Sequence, residues 1–129
     1  MSVRLTPIEA RGIILANPIV LNWIHGYTVS MEIRKLILDD GSIPFDERLA
    51  KIRDTNAVSR IQVRIDRLAK GNAGDHKQLA ENLWELRIDV GEGWRVYYTQ
   101  EGDQILLLMI VGTKKTQPND IALVKEWLK

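Results

Sequence analysis

From Thr55 to Lys70 the apolar residues Val58, Ile61, Ile65 and Leu68 recur every three or four positions, which places them on one stripe of a helix. Gly71-Asn72 follows, a common helix stop. A shorter stretch, Pro44 to Arg53, carries Phe45, Leu49 and Ile52 at helical spacing. Before it, Met31 to Leu38 alternates imperfectly and runs into Asp39-Asp40-Gly41, so it reads as a strand closed by a turn. The loop Gly71 to His76 leads into three predicted strands. Leu83 to Val90 alternates strictly, and Trp94 to Gln100 returns across Gly91-Glu92-Gly93. Gln104 to Val111 is apolar almost throughout, as a strand in a sheet's interior would be. Pro118 opens a last helix, Asn119 to Leu128. The order β-α-α-β-β-β-α predicts an α+β fold, an antiparallel sheet with two helices packed on one face.

The 129 residues have room for one core. Residues 1–30 stand apart, with few charges, Pro7 and Pro18, and no clean period. Thr6 and Pro7 predict a short helix reaching Ala16. The division is therefore an N-terminal extension over 1–30 and a domain over 31–129, and it allows an independent translation start at Met31. No segment reaches the roughly 20 consecutive apolar residues that spanning a bilayer takes. The best stretch, Ile13 to Ile24, is broken by Asn17, Pro18 and Asn22 and is followed by no signal-cleavage pattern, so no membrane partner is expected. The absence of cysteine excludes disulfides, thiolate zinc sites and cysteine nucleophiles, and it fits a cytoplasmic protein. A net charge of +1 gives no bulk attraction for nucleic acid, so any such case rests on where the charges sit.

The hairpin lets some of them be placed. If Val90 faces Trp94, the pairs Asp89–Arg95, Arg87–Tyr97 and Glu85–Thr99 share one face, and Ile88–Val96 and Leu86–Tyr98 share the other. The apolar set must meet the helices, which leaves two arginines, a tyrosine and two carboxylates together. Arginine is a permanently charged fork matched to phosphate oxygens. Tyrosine offers a ring for a base or a hydroxyl near a scissile bond, and Glu85 is a possible proton acceptor. Lys114 and Lys115 emerge at the end of the apolar strand and Lys77 sits just before the first of the three, so these cations can share a rim. The plainer alternative is a solvated face with cross-strand salt bridges such as Asp89–Arg95. Arg60, Arg64, Arg67 and Lys70 form a second basic stripe opposite the apolar one, either a solvated helix face or a contact for RNA. His25 and His76 are far apart with no partner at metal-ligand spacing, so neither a metal nor a cofactor is expected. The tryptophans Trp23, Trp84, Trp94 and Trp127 read as core or interface residues.

Three segments, RIDRLAKGNAGDHKQL, WELRIDVGEGWRVYY and ILLLMIVGTKKTQPNDI, together resemble the phage-derived addiction-module killer proteins, a HigB-like branch of the RelE/ParE toxin superfamily. The resemblance runs from about Met31 to the C-terminus. It implies a RelE-like fold, the toxin role of a type II toxin–antitoxin system, and a small antitoxin partner, often of helix-turn-helix type. By matching position, the family's GDxK lysine is Lys77, its ELR segment gives Glu85 and Arg87, its GxGYR arginine is Arg95 and its GxKxTQ lysine is Lys114. Trp94 stands where the family usually has tyrosine, Val111 where glycine is common, and Asn82 replaces a frequent glycine. The activity so implied is metal-independent cleavage of mRNA on the ribosome. Arg87, Arg95 and Lys114 would hold the phosphoryl charge, and Lys77 and Lys115 the backbone. Tyr97 would stack or orient the 2′-hydroxyl, and Glu85 or a lysine would act as base. The rivals are a ParE-like gyrase poison and a non-catalytic antitoxin-binding module.

Overall fold

The computed structural model describes residues 30–102 and 104–129, so the extension and its predicted helix from Pro7 to Ala16 lie outside the described residues. In chain order the elements are β1 (Glu32–Lys35), α1 (Pro44–Ala50), α2 (Thr55–Ala69), β2 (His76–Ala80), β3 (Leu83–Ile88), β4 (Trp94–Glu101), β5 (Ile105–Thr113) and α3 (Gln117–Trp127). The five strands form one open sheet in the order β1-β5-β4-β3-β2. The fold is α+β, as expected. Two details differ. The sheet is mixed rather than antiparallel, because β1 runs parallel to β5; the crossover through α1 and α2 carries the chain from β1 to β2 at the opposite edge, and the chain returns through β3 and β4. There is also one strand more than expected, since β2 pairs antiparallel with β3 as the far edge.

Helix α2 buries Ala57, Ile61, Ile65 and Leu68 against Leu86, Ile88, Val96 and Tyr98, with Phe45 of α1 beside them. Both helices thus cover one face, as the apolar stripe requires. Asp54 caps α2, its carboxylate accepting from the backbone N–H of Asn56 at 3.0 Å and Ala57 at 3.2 Å. Asp54→Ala is expected to lower stability by about 1 kcal/mol, read by urea denaturation.

The other face is not open, as the reading of two helices on one side had implied. Helix α3 packs on it, with Val124 against Tyr97, Met109, Ile110, Leu83 and Leu36. A register shift between Tyr97 and Tyr98 on β4 adjusts β5 so that Met109 and Ile110 join this second core, while Leu108 and Val111 join the first. Burial on both faces explains why β5 is apolar throughout.

The hairpin register is also corrected. Ile88, not Val90, faces Trp94, and the loop spans residues 89–93, with Gly93 N–H bonded to Val90 O at 3.0 Å. Gly91 and Gly93 supply the positive φ of that loop, 58° and 81°. A shift of two residues keeps every side chain on its expected face but changes its partners. Arg87 now faces Arg95, Glu85 faces Tyr97, and Asp89 pairs with neither arginine.

Candidate functional site

Beneath the first turn of α3 the sheet carries two polar rows. One runs Lys77–Glu85–Tyr97 across β2, β3 and β4; the next runs Arg87–Arg95–Gly112 across β3, β4 and β5. Two guanidinium groups directly opposite one another repel unless something neutralises them. Glu85 does so for one. Fully buried, it accepts from Arg87 Nε at 2.9 Å through one oxygen and from Gln117 Nε2 at 2.6 Å through the other. That hydrogen bond also raises the Arg87 pKa above its ordinary value.

Arg95 has no such partner. It is 8% exposed, Nη1 donates to the Trp94 carbonyl at 3.0 Å, and the buried Nε donates to nothing. Among the described residues no carboxylate pairs with it. Lys114 is held next to it by the hairpin, its backbone N–H donating to Gly93 O at 2.8 Å. A Cβ on Gly93 would lie 3.5 Å from Lys114 Cβ and 3.8 Å from Arg95 Nη1, in ordinary contact with both, so the two side chains border the same turn. The three cations expected to act together are therefore neighbours, with Arg95 the desolvated one.

Two other expectations change. Tyr97 is completely buried and cannot stack on a base. Its hydroxyl makes no well-formed hydrogen bond, only a loose approach to the Glu85 carboxylate, and burial first, then the Glu85 and Asp120 charges, push its pKa well above the ordinary tyrosine value. It stays protonated and is no base. Glu85, sealed under Gln117, is placed to hold Arg87 rather than to meet a substrate hydroxyl. Burial also pushes Tyr98 up, to about 12. Both phenols thus lose their protons more readily unfolded than folded. Their contribution is complete below roughly pH 10 and is lost as pH climbs through the folded values. Tyr97→Phe, which deletes a hydroxyl with no well-formed hydrogen bond, is expected to be neutral or stabilising by about 1 kcal/mol at pH 7 and to flatten the alkaline fall, read by denaturation at pH 7 and pH 11.

Gln117 escaped the sequence reading, and so did a buried junction behind it. Asp120, 3% exposed, accepts from Arg48 Nη1 at 2.7 Å and from Thr116 Oγ1 at 2.6 Å. Arg48 belongs to α1 on the opposite face, so this ion pair locks the start of α3 in place. Its carboxylate lies against Gly112, where any Cβ would collide with Asp120 Oδ2. The signal was present as the run Gly112 to Asp120, but only the β5–α3 turn brings its two ends together.

No protein-family model matches the chain. A stretch of 84 residues, 65% of this chain, is 39% identical to a protein of Haemophilus influenzae described as uncharacterized, and spans 85% of that protein. The chain belongs to the family of that protein. Membership brings no activity with it, since the relative's description names none.

The remaining predicted site residues lie at the edge of this site or on the other face of the sheet. Arg60, Arg64 and Arg67 ride on α2, on the opposite face of the sheet. Arg64 is structural, not a free contact for RNA: Nη1 donates to Arg87 O at 2.6 Å and Nη2 to Ala73 O at 2.8 Å, which pins the loop before β2. Arg60 and Arg67 are exposed, as are Lys77 on the β2 edge and Lys115 in the turn after β5. Among the described residues no cluster of three or more histidine, aspartate or glutamate side chains is arranged to hold a metal, and no helix is long and apolar enough to cross a membrane.

Proposed function

We propose that this protein is the toxin of a type II toxin–antitoxin system, a metal-independent endoribonuclease that cuts mRNA on the ribosome in the cytoplasm. One observation supports the reading most: Arg95 is a nearly buried guanidinium with an unused Nε donor and no carboxylate partner among the described residues, flanked by Arg87 and Lys114. An uncompensated cation in that position is costly unless an anion completes it. The α+β sheet with α1 and α2 on one face fits the RelE/HigB resemblance, which also supplies the expected helix-turn-helix antitoxin.

In the proposed reaction a 2′-hydroxyl oxygen attacks the adjacent phosphorus, the bond to the 5′-oxygen breaks, and a 2′,3′-cyclic phosphate results. Arg87, Arg95 and Lys114 hold the charge that builds on the phosphoryl oxygens. Glu85 and Gln117 fix Arg87. The 2′-hydroxyl proton passes to water at the open rim, and the departing 5′-oxygen takes a proton from water. Lys77 and Lys115 steer the backbone. The burial of Glu85 favours a second reading, a module that grips a phosphate without cleaving it.

Induced expression followed by primer extension on total mRNA separates the readings. Growth arrest with codon-phased cuts supports the nuclease. Arrest with double-strand DNA breaks selects a gyrase poison, and no arrest selects the binding module. Lys114→Arg, which keeps the charge, is expected to keep RNA binding and most of the cutting, whereas Lys114→Ala should weaken both.

A further inference from the structure

On the face opposite Arg95, where α2 ends at Ala69, the described residues leave the sheet partly uncovered. A cleft of about 410 Å³ opens there between Leu68–Gly71 and the strands β2 to β4. Its floor is a ladder of rings. His76 and Trp84 have centroids 5.6 Å apart at 37°, and Trp84 and Tyr98 lie 6.5 Å apart at 16°, nearly parallel. Trp84, read from the sequence as a core or interface residue, is half-buried, and His76 is exposed. His76 Nδ1 donates to Gly74 O at 2.8 Å, which fixes the ring plane and leaves Nε2 as an acceptor when the ring is neutral. Gln100 adds an amide to the lining, and Lys70 a cation, with exposed Arg67 one turn earlier on α2. Asp66, Asp75 and Glu101 are exposed carboxylates in the adjoining segments.

We propose that this cleft takes a base of single-stranded RNA, stacked on the His76–Trp84 ladder, with Lys70 and Arg67 meeting the phosphates on either side. Exposed rings on a sheet are a general platform for unpaired bases, because every base offers a flat π face. Cations at the rim match a polyanion and not an apolar peptide. The volume admits a nucleoside. The proposal rests on the RNA reading above and deepens it: the substrate is held on both faces of the sheet, by phosphate on one and by a base on the other.

The test compares a uridine octamer with an abasic ribose-phosphate chain of equal length, each fluorescently labelled and titrated with the full chain. The octamer is expected to bind about 10-fold more tightly, the worth of roughly one stacked base. His76→Ala and Trp84→Leu should each remove most of that difference. Arg95→Ala should weaken both chains equally and leave the difference intact. Should Trp84→Leu fail to fold, His76→Ala decides, since that side chain is exposed. Equal binding of the two chains, or a difference that His76→Ala leaves unchanged, overturns the proposal. Cleavage is not needed for this readout, so a chain that binds bases yet cuts no mRNA would sink the nuclease reading alone.

Discussion

Arg95→Ala is expected to abolish mRNA cutting, by a factor of ~100 to 1,000, while the protein becomes no less stable. The two halves of this expectation share a cause. Arg95 is almost completely removed from water, spends one donor on the Trp94 carbonyl and leaves Nε unused. Its direct neighbour across the ladder is another arginine. In the free protein the guanidinium is thus a desolvated charge with little in return, and replacing such a group by an apolar one is often neutral or stabilising. In the proposed complex the same group would meet phosphoryl oxygens, and a donor already removed from water is worth most there. An activity that falls as stability holds or rises marks a functional cation; a structural one would lose both. Primer extension and thermal melting of the same variant read the two halves. A variant that melts earlier and still cuts would assign Arg95 to the scaffold.

Gly112→Ala is expected to destabilise by about 3–5 kcal/mol, the range for disrupting a buried ion pair. The added methyl would collide with Asp120 Oδ2, and it would also come within 3.0 Å of Thr116 Oγ1. Asp120 has no room to swing aside, because Arg48 holds one oxygen and Thr116 the other. The clash must then be relieved by moving the first turn of α3, which carries Gln117 and hence the partner of Glu85. Chemical denaturation of wild type, Gly112→Ala, Asp120→Ala and the double variant checks this. The two losses should be strongly sub-additive, since the methyl has nothing to strike once the carboxylate is gone. Additive losses, or a change below about 1 kcal/mol for Gly112→Ala, would contradict the role given to that contact.

Elements whose apolar pattern repeats were legible in the sequence. The stripe of α2 and the strict alternation of β3 located both within a residue or two, because burial on one face leaves a period. Strand β2, HKQLA, was not. It is an edge strand with only Leu79 half-buried, so its place comes from the ladder with β3 and not from its own composition. The face of Arg87 and Arg95 was also legible, since alternation survives a two-residue slip. Their partners were not, because the five-residue loop depends on backbone turns that no side-chain pattern announces. The same limit hid the lid over the site. Helix α3 was expected, but nothing in its residues said that it would cross to the other face and bury Glu85 and Tyr97.

The central claim is that Arg95 and Lys114 grip an RNA phosphate together. Its most direct measurement is the salt dependence of single-stranded RNA binding, wild type against the Arg95→Ala/Lys114→Ala double variant. Two lost phosphate contacts should make the slope of log affinity against log salt shallower by about 1.4. An unchanged slope, with affinity also unchanged, would mean that no phosphate sits between these two side chains.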